Sequence, residues 1–271
     1  MNEFPAPTSS DLNEGKTTGP LIFVDADNTL WDTDRVFADA QLQLLEAVEE
    51  STLIKAAATD RLAYIREVDQ AIAQAHHLGL KYPPRLLVIA LAHTLSGHSP
   101  DQAAAVAWSR GSAGITLSDD KVNLISERFL QTLTRVPRLR PGVRMGLTAL
   151  KRLGAQIVVL TEGRKDRVVA NLRAHDLLSE VGRVMEAMKT PALFKRLLRL
   201  AAGDQLVVMI GDQISRDIAP AAAVGVRTIY IPAAFKPRWE SGSSGGLADY
   251  ELCGFEDVPT TVAKLLERPA K

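Results

Sequence analysis

One cysteine, no excess of either charge and no long apolar run set the first limits on this chain. A lone thiol, Cys253, cannot form an internal disulfide or a multi-cysteine metal centre, and is expected to act as a small buried hydrophobe. Lys plus Arg and Asp plus Glu are both 32, so the formal net charge is zero. That excludes a broad basic footprint for nucleic acid or an anionic membrane, though not a local basic pocket. No apolar run approaches the ~20 residues that span a bilayer. The first twenty residues, MNEFPAPTSSDLNEGKTTGP, also lack the apolar stretch of a secretory signal. They are rich in Pro, Ser, Thr and Gly, and residues 1–19 are expected to be a mostly disordered tail. A soluble, cytoplasmic protein without a nucleic-acid or membrane partner is the expectation; its oligomeric state is left unknown.

What the chain does have is apolar residues, 46% of 271, enough for one or two domains with a substantial core. Four short apolar runs have the length of strands: LIFVDAD (21–27), AQIVVLTEG (155–163), QLVVMIGD (205–212) and VRTIYIP (226–232). None alternates, as expected for parallel strands covered on both faces. Helical patterns lie between them, at 142–154, 164–178 and 190–203, the last with Pro191 near its start and Gly203 past its end. The alternation predicts a doubly wound parallel α/β sheet.

The first strand breaks that rhythm. Residues 35–135 hold no convincing strand but five helical segments, at 35–57, 60–79, 83–97, 99–111 and 118–135. Ser99 with Pro100 behind it, and Ser118 before an acidic first turn, read as helix caps. An all-helical module is therefore inserted after the first strand, and PRLRPG (137–142) is the return linker.

In open parallel sheets ligands bind beyond the carboxyl ends of the strands. Here those ends carry Asp25-Ala26-Asp27, Thr161-Glu162-Gly163 and Gly211-Asp212, with Asp217 starting the next helix. Clustered carboxylates repel unless a cation or proton intervenes, and hard oxygen ligands suit Mg²⁺.

The quoted residues resemble the haloacid dehalogenase superfamily. DADNT is similar to its D-x-D-x-T motif, VVLT to its second motif of an apolar strand ending in Thr or Ser, and GDQISRD to its G-D-x-x-x-x-D motif. The less constrained third-motif Lys is matched by Lys189 in MKTPALF, with Lys165 and Lys195 as alternatives. Thr190 stands between Lys189 and Pro191, where the family's phosphatases often have Pro directly after the Lys. The resemblance, over roughly residues 20–265, implies a Rossmann-like α/β core (20–33 and 139–271) and an all-helical cap (34–138).

That resemblance also implies roles. Asp25 would be the nucleophile, forming an aspartyl-phosphate. Asp27 would protonate the leaving oxygen and then activate water. Asp25, the backbone carbonyl of Asp27, and Asp212 would hold Mg²⁺. Thr161 and the amides after it, at Glu162 and beyond, would bind phosphate with Lys189. Asp217 would stand behind the metal or orient Lys189, and Thr29 would brace the loop. Members that dehalogenate carbon substrates lack the second Asp of the first motif, so Asp27 favours phosphoryl chemistry. The implied activity is a Mg²⁺-dependent phosphatase acting on a small phosphorylated metabolite. A phosphomutase, or a non-catalytic binding protein on the same fold, is the alternative.

Other residues carry plainer expectations. Asp32 and Asp34 should solvate or cap the first inserted helix rather than bind metal, and Trp31 should pack at its base. His76 and His77, read as the end of a helix, should point different ways. Arg164 and Arg216 are expected in solvent. The run 241–246 should be flexible, ADYEL should add an edge strand and VPTTVAKLLE a closing helix.

Overall fold

The computed structural model describes residues 19–111, 114, 116–201, 203–240 and 244–267. Residues 1–18 of the tail expected at 1–19, and the first half of the Ser/Gly run, lie outside them. The described chain divides into two units. The larger holds the residues up to Trp31, Arg138–Lys236 and those from Glu240 on; the smaller holds Asp32–Pro137 and Pro237–Trp239.

The strands are β1 (Leu21–Val24), β2 (Trp31–Asp32), β3 (Arg138–Leu139), β4 (Gln156–Thr161), β5 (Arg183–Glu186), β6 (Val207–Gly211), β7 (Arg227–Tyr230) and β8 (Tyr250–Glu251). Six of them form one sheet in the order β5-β4-β1-β6-β7-β8, in which all neighbouring strands run parallel; β2 and β3 pair separately. The absence of alternation has the expected cause. Ile22, Val24, Ile157, Val159, Val208 and Ile210 point into one apolar cluster, and Phe23, Leu160, Val207 and Met209 into another on the opposite face. Each such side chain contributes about 1.5–3 kcal/mol by leaving water.

The larger unit's helices are α6 (Val143–Arg152), α7 (Lys165–Ala174), α8 (Pro191–Leu200), α9 (Ala219–Ala222) and α10 (Val258–Glu267). Val143, Leu147 and Leu150 of α6 pack on one face with Val258, Val262 and Leu265 of α10; Phe194 and Leu197 of α8 cover the other. Two expectations change. Strand β5 was not foreseen, and Cys253 is exposed, because it follows the short edge strand β8 at the rim of the sheet.

The smaller unit is helical: α1 (Thr33–Thr52), α2 (Arg61–Ala75), α3 (Pro84–Leu95), α4 (Pro100–Arg110) and α5 (Asp119–Leu133). Asp32, Asp60, Ser99 and Ser118 cap α1, α2, α4 and α5 through their side chains. Helix α1 stops short of residue 57 because Leu53 takes a left-handed conformation (φ 59°). The chain then turns back on the buried Glu49, whose carboxylate accepts from Arg61 (2.9 and 3.0 Å), the Ala56 amide (3.0 Å) and Lys55 (3.2 Å). His76 and His77 lie beyond the end of α2, where the backbone is extended, so their rings stack at 4.4 Å instead of diverging. Arg238, from the short stretch grouped with this unit, donates its amide to Gln70 (2.6 Å) and its guanidinium to the Glu67 carbonyl (2.9 Å). No described helix is long and apolar enough to cross a membrane.

Glu49 gives a test of this unit. Burial alone would raise its carboxyl, but the bonds from Arg61, Ala56 and Lys55 outweigh it and hold the pKa down at about 2 from an ordinary 4.5. A depressed folded-state pKa contributes stability above the unfolded value, lost as pH falls through the folded one. Glu49→Ala should therefore cost about 2–3 kcal/mol near neutral pH, through lost charge-assisted hydrogen bonds. The gap between variant and wild type should narrow from pH 4.5 toward pH 2. Urea unfolding across that range measures it; a gap independent of pH would mean the carboxylate's charge is not what stabilises the segment.

Candidate active site

Parallel pairing aligns the carboxyl ends of β1, β4, β5 and β6 on one edge of the sheet. The ladder continues one step past β1, where the Asp25 amide donates to the Ile210 carbonyl at 2.8 Å. Asp25 is thereby fixed beside Asp212, which directly follows β6. Asp25, Asp212 and Asp217 are all buried, each offering an oxygen within 4.8 Å of the others'.

Lys189 enters this group from the loop after β5. Its buried ammonium donates to an Asp25 oxygen and, at 2.6 Å, to Asp217. Lys165 and Lys195 are exposed. Burial disfavours charge on Lys189, yet Asp217 and Asp25 outweigh it and raise its pKa above the ordinary lysine value. Asp25 feels the opposite balance. Burial, then Asp217 and Asp27, push its pKa up to about 7 against the pull of Lys189.

Asp217 lies in a π-helical turn, Ile214–Ile218, where a regular helix start was expected. Its second oxygen accepts the Gln213 amide at 3.0 Å. A Cβ on Gly211 would stand 2.3–2.4 Å from the Asp217 carboxyl, so only glycine lets that side chain tuck under the end of β6.

Thr29 is fully buried and donates to Asp25 at 3.4 Å. Thr161 ends β4; its hydroxyl accepts the Gly163 amide at 2.9 Å and shapes the turn. The Glu162 side chain is engaged elsewhere, accepting the Lys189 amide at 2.9 Å and Arg216 at 3.2 Å. Arg216, expected in solvent, is thus partnered, while Arg164 is exposed and pairs with Asp166.

Asp27 accepts from the indole N–H of Trp31 at 3.1 Å. Its other oxygen faces the Thr161–Gly163 turn, 3.5 Å from where a Cβ on Gly163 would stand. Asp32 caps α1 by accepting the Arg35 amide at 3.0 Å.

Sequence reasoning missed two contacts. Arg140 donates to the carbonyls of Asn28 and Pro232, clasping the loop after β1, in which Asn28 is left-handed (φ 58°). An Arg between Leu139 and Pro141 in a linker carries no sequence signal for this. The Trp31 bond has one, the i, i+4 spacing to Asp27, which the expectation of packing alone does not use.

The arrangement joins a buried carboxylate at a strand end, a cation against it, a second carboxylate beside a backbone turn, and an all-oxygen donor cluster. Such a group can attack phosphorus, move a proton and hold a hard cation. No curated protein sequence matches this chain. Solved structures do resemble it in fold. A candidate β-phosphoglucomutase from Thermotoga maritima is 16% identical, with TM-score 0.59 over 91% of this chain and 99% of that one. A candidate HAD-hydrolase from Bacillus subtilis, bound to magnesium, is 15% identical, with TM-score 0.58 over 90% and 99%. A predicted phosphoglycolate phosphatase from Haemophilus somnus is 20% identical, with TM-score 0.56 over 91% and 99%. At these identities the likeness is one of fold. Residues 20–225 match the haloacid dehalogenase-like hydrolases as a family, and the chain belongs to that family.

Proposed function

We propose that this hydrolase is a Mg²⁺-dependent phosphatase that removes phosphate from a small metabolite through an aspartyl-phosphate on Asp25. The observation that carries the reading is the pairing of Asp25 with Lys189 inside the Asp25–Asp212–Asp217 cluster, with Asp27 beside the Thr161 turn.

Charge supports the metal. Three buried carboxylates meet one ammonium in this cluster, and the pKa of Asp25 is pushed up to about 7, first by burial and then by the charges of Asp217 and Asp27. The donors are all hard oxygens, which suits Mg²⁺; Asp25, Asp212 and the Asp27 backbone carbonyl would hold it. When bound, the ion would neutralise charge on the phosphoryl group and screen Asp25 from it.

The chain's own groups do the rest. An Asp25 oxygen attacks phosphorus while Asp27 gives its proton to the departing substrate oxygen. Asp27 then takes a proton from the water that cleaves the aspartyl-phosphate. Lys189, held by Asp217, offsets charge on Asp25 and the phosphoryl oxygens. The Thr161 hydroxyl and the amides of Glu162 and Gly163 hold those oxygens. The Glu162 side chain ties that turn to Lys189 and Arg216.

A panel of phosphorylated metabolites assayed for released inorganic phosphate, with and without Mg²⁺, tests the proposal. Turnover should vanish in excess EDTA and return with Mg²⁺. Ca²⁺ should restore it poorly, since it takes more ligands at longer distances. Full activity in EDTA would overturn the metal role. Consumption of substrate without free phosphate would instead point to transfer onto another hydroxyl.

A further inference from the structure

Trp31 is among the largest fully buried side chains of the protein, and its indole N–H is aimed at Asp27. The ring stacks near His175, with centroids 6.5 Å apart and planes within 23°, and belongs to the apolar cluster that contains Ala26 and Leu30. The backbone on either side is also held. Asp27 and Trp31 form an isolated bridge, Arg140 donates its amide to the Leu30 carbonyl at 3.0 Å, and its guanidinium clasps the Asn28 carbonyl. The indole therefore has one direction available to its N–H.

An indole N–H can only donate. The oxygen it meets, Oδ1 of Asp27, must be an acceptor in every state of the carboxyl. A protonated carboxyl accepts best through its carbonyl oxygen, so the indole favours Oδ1 in that role and leaves the proton of Asp27 on Oδ2, the oxygen facing the Thr161–Gly163 turn. We propose that Trp31 is a positioning residue that selects Oδ2 of Asp27 as the oxygen exchanging protons with the leaving group and with water. The proposal rests on the acid–base reading of Asp27 given above.

The step balances. As Asp25 bonds to phosphorus and the phosphorus–substrate oxygen bond breaks, the proton on Oδ2 passes to that departing oxygen. In the second half, Oδ2 takes a proton from water as the water oxygen bonds to phosphorus and the bond to Asp25 breaks. Oδ1 stays on the indole throughout. Without the indole N–H, Oδ1 loses the donor that marks it as the acceptor, and the preference for a proton on Oδ2 weakens. Misplacement of a reacting group by about 1 Å costs on the order of 10²-fold in rate.

The test uses the full chain with two replacements of Trp31. Trp31→Phe removes the N–H and part of the ring; 3-benzothienylalanine at position 31 keeps the bicyclic shape and removes only the N–H. Pre-steady-state phosphorylation of the enzyme is followed with phenyl phosphate, a poor leaving group that needs its proton, and with p-nitrophenyl phosphate, which does not. The benzothienyl protein should lose about 10–100-fold with phenyl phosphate. It should lose little with p-nitrophenyl phosphate, at KM values near wild type. In the ¹⁵N-labelled wild type, the Trp31 indole resonance, identified by its loss in Trp31→Phe, should move when Asp27 is replaced by Asn. Equal rates for the benzothienyl and wild-type proteins on both substrates, or an indole resonance indifferent to Asp27→Asn, would overturn the role of Trp31. Asp27→Asn itself separates the two levels. If it leaves phenyl phosphate turnover intact, the acid–base reading falls and this proposal with it. If it abolishes phenyl phosphate turnover while the benzothienyl protein keeps the wild-type phosphorylation rate on that substrate, only the proposal falls.

Discussion

Asp25→Asn should abolish phosphate release while leaving the protein folded. The amide has the shape of the carboxylate but cannot attack phosphorus, and loss of a covalent route costs on the order of 10³-fold or more. The fold should not suffer. Asp25 is buried near Asp217 and Asp27, and its pKa, raised chiefly by burial, records how poorly the site tolerates its charge even with Lys189 against it. Thermal melting in metal-free buffer near pH 8 should show the variant at least as stable as wild type. Retention of most of the activity by purified Asp25→Asn would remove it as the nucleophile.

Lys189→Met should have the next largest effect, and on two properties at once. Without the ammonium, negative charge building on the phosphoryl oxygens has lost its nearest fixed counterpart, a loss of about 10²–10³-fold in kcat. The same change leaves Asp217 and Asp25 as buried charges without their cation, and breaking a buried pair on one side costs about 3–5 kcal/mol. Urea unfolding and kinetics separate the two effects. Adding Asp217→Asn to Lys189→Met should restore much of the stability and none of the rate. A Lys189→Met protein with wild-type kcat would mean that the contact with Asp25 is structural only.

The sheet was legible because its central strands are buried on both faces and therefore apolar without interruption, as Ile22–Val24 and Val207–Ile210 illustrate. Strand β5 escaped notice for the converse reason. Arg183 and Glu186 at its ends are exposed, and only Val184 is fully buried, so it has no apolar run. It matters, since the loop it feeds delivers Lys189. The candidate site was legible where residue type and strand end coincide, at Asp25, Asp27, Thr161 and Asp212, and at Asp217 in the turn that follows β6. It was not legible where a side chain turns from its obvious use. Glu162 holds Lys189 and Arg216, Trp31 donates to Asp27, and Arg140 reaches two carbonyls from a linker. Contacts of that kind depend on backbone directions, which residue spacing does not specify.

The position of β1 in the sheet has a consequence for how the protein is made. It precedes the other described strands in the chain and sits between β4 and β6, which come after helices α1 to α5. At ~5–20 residues per second, on the order of ten seconds pass between the emergence of Leu21–Val24 and that of its first partner. During that interval four apolar residues wait beside the carboxylates they will later position. The helices α1 to α5 build their own apolar cluster from one continuous stretch and can fold in the meantime. The nascent chain should thus hold a folded helical unit behind an unpaired strand. Ribosome-bound chains halted before Gln156 should leave Leu21–Val24 open to proteolysis, and chains extended past Gly211 should protect it.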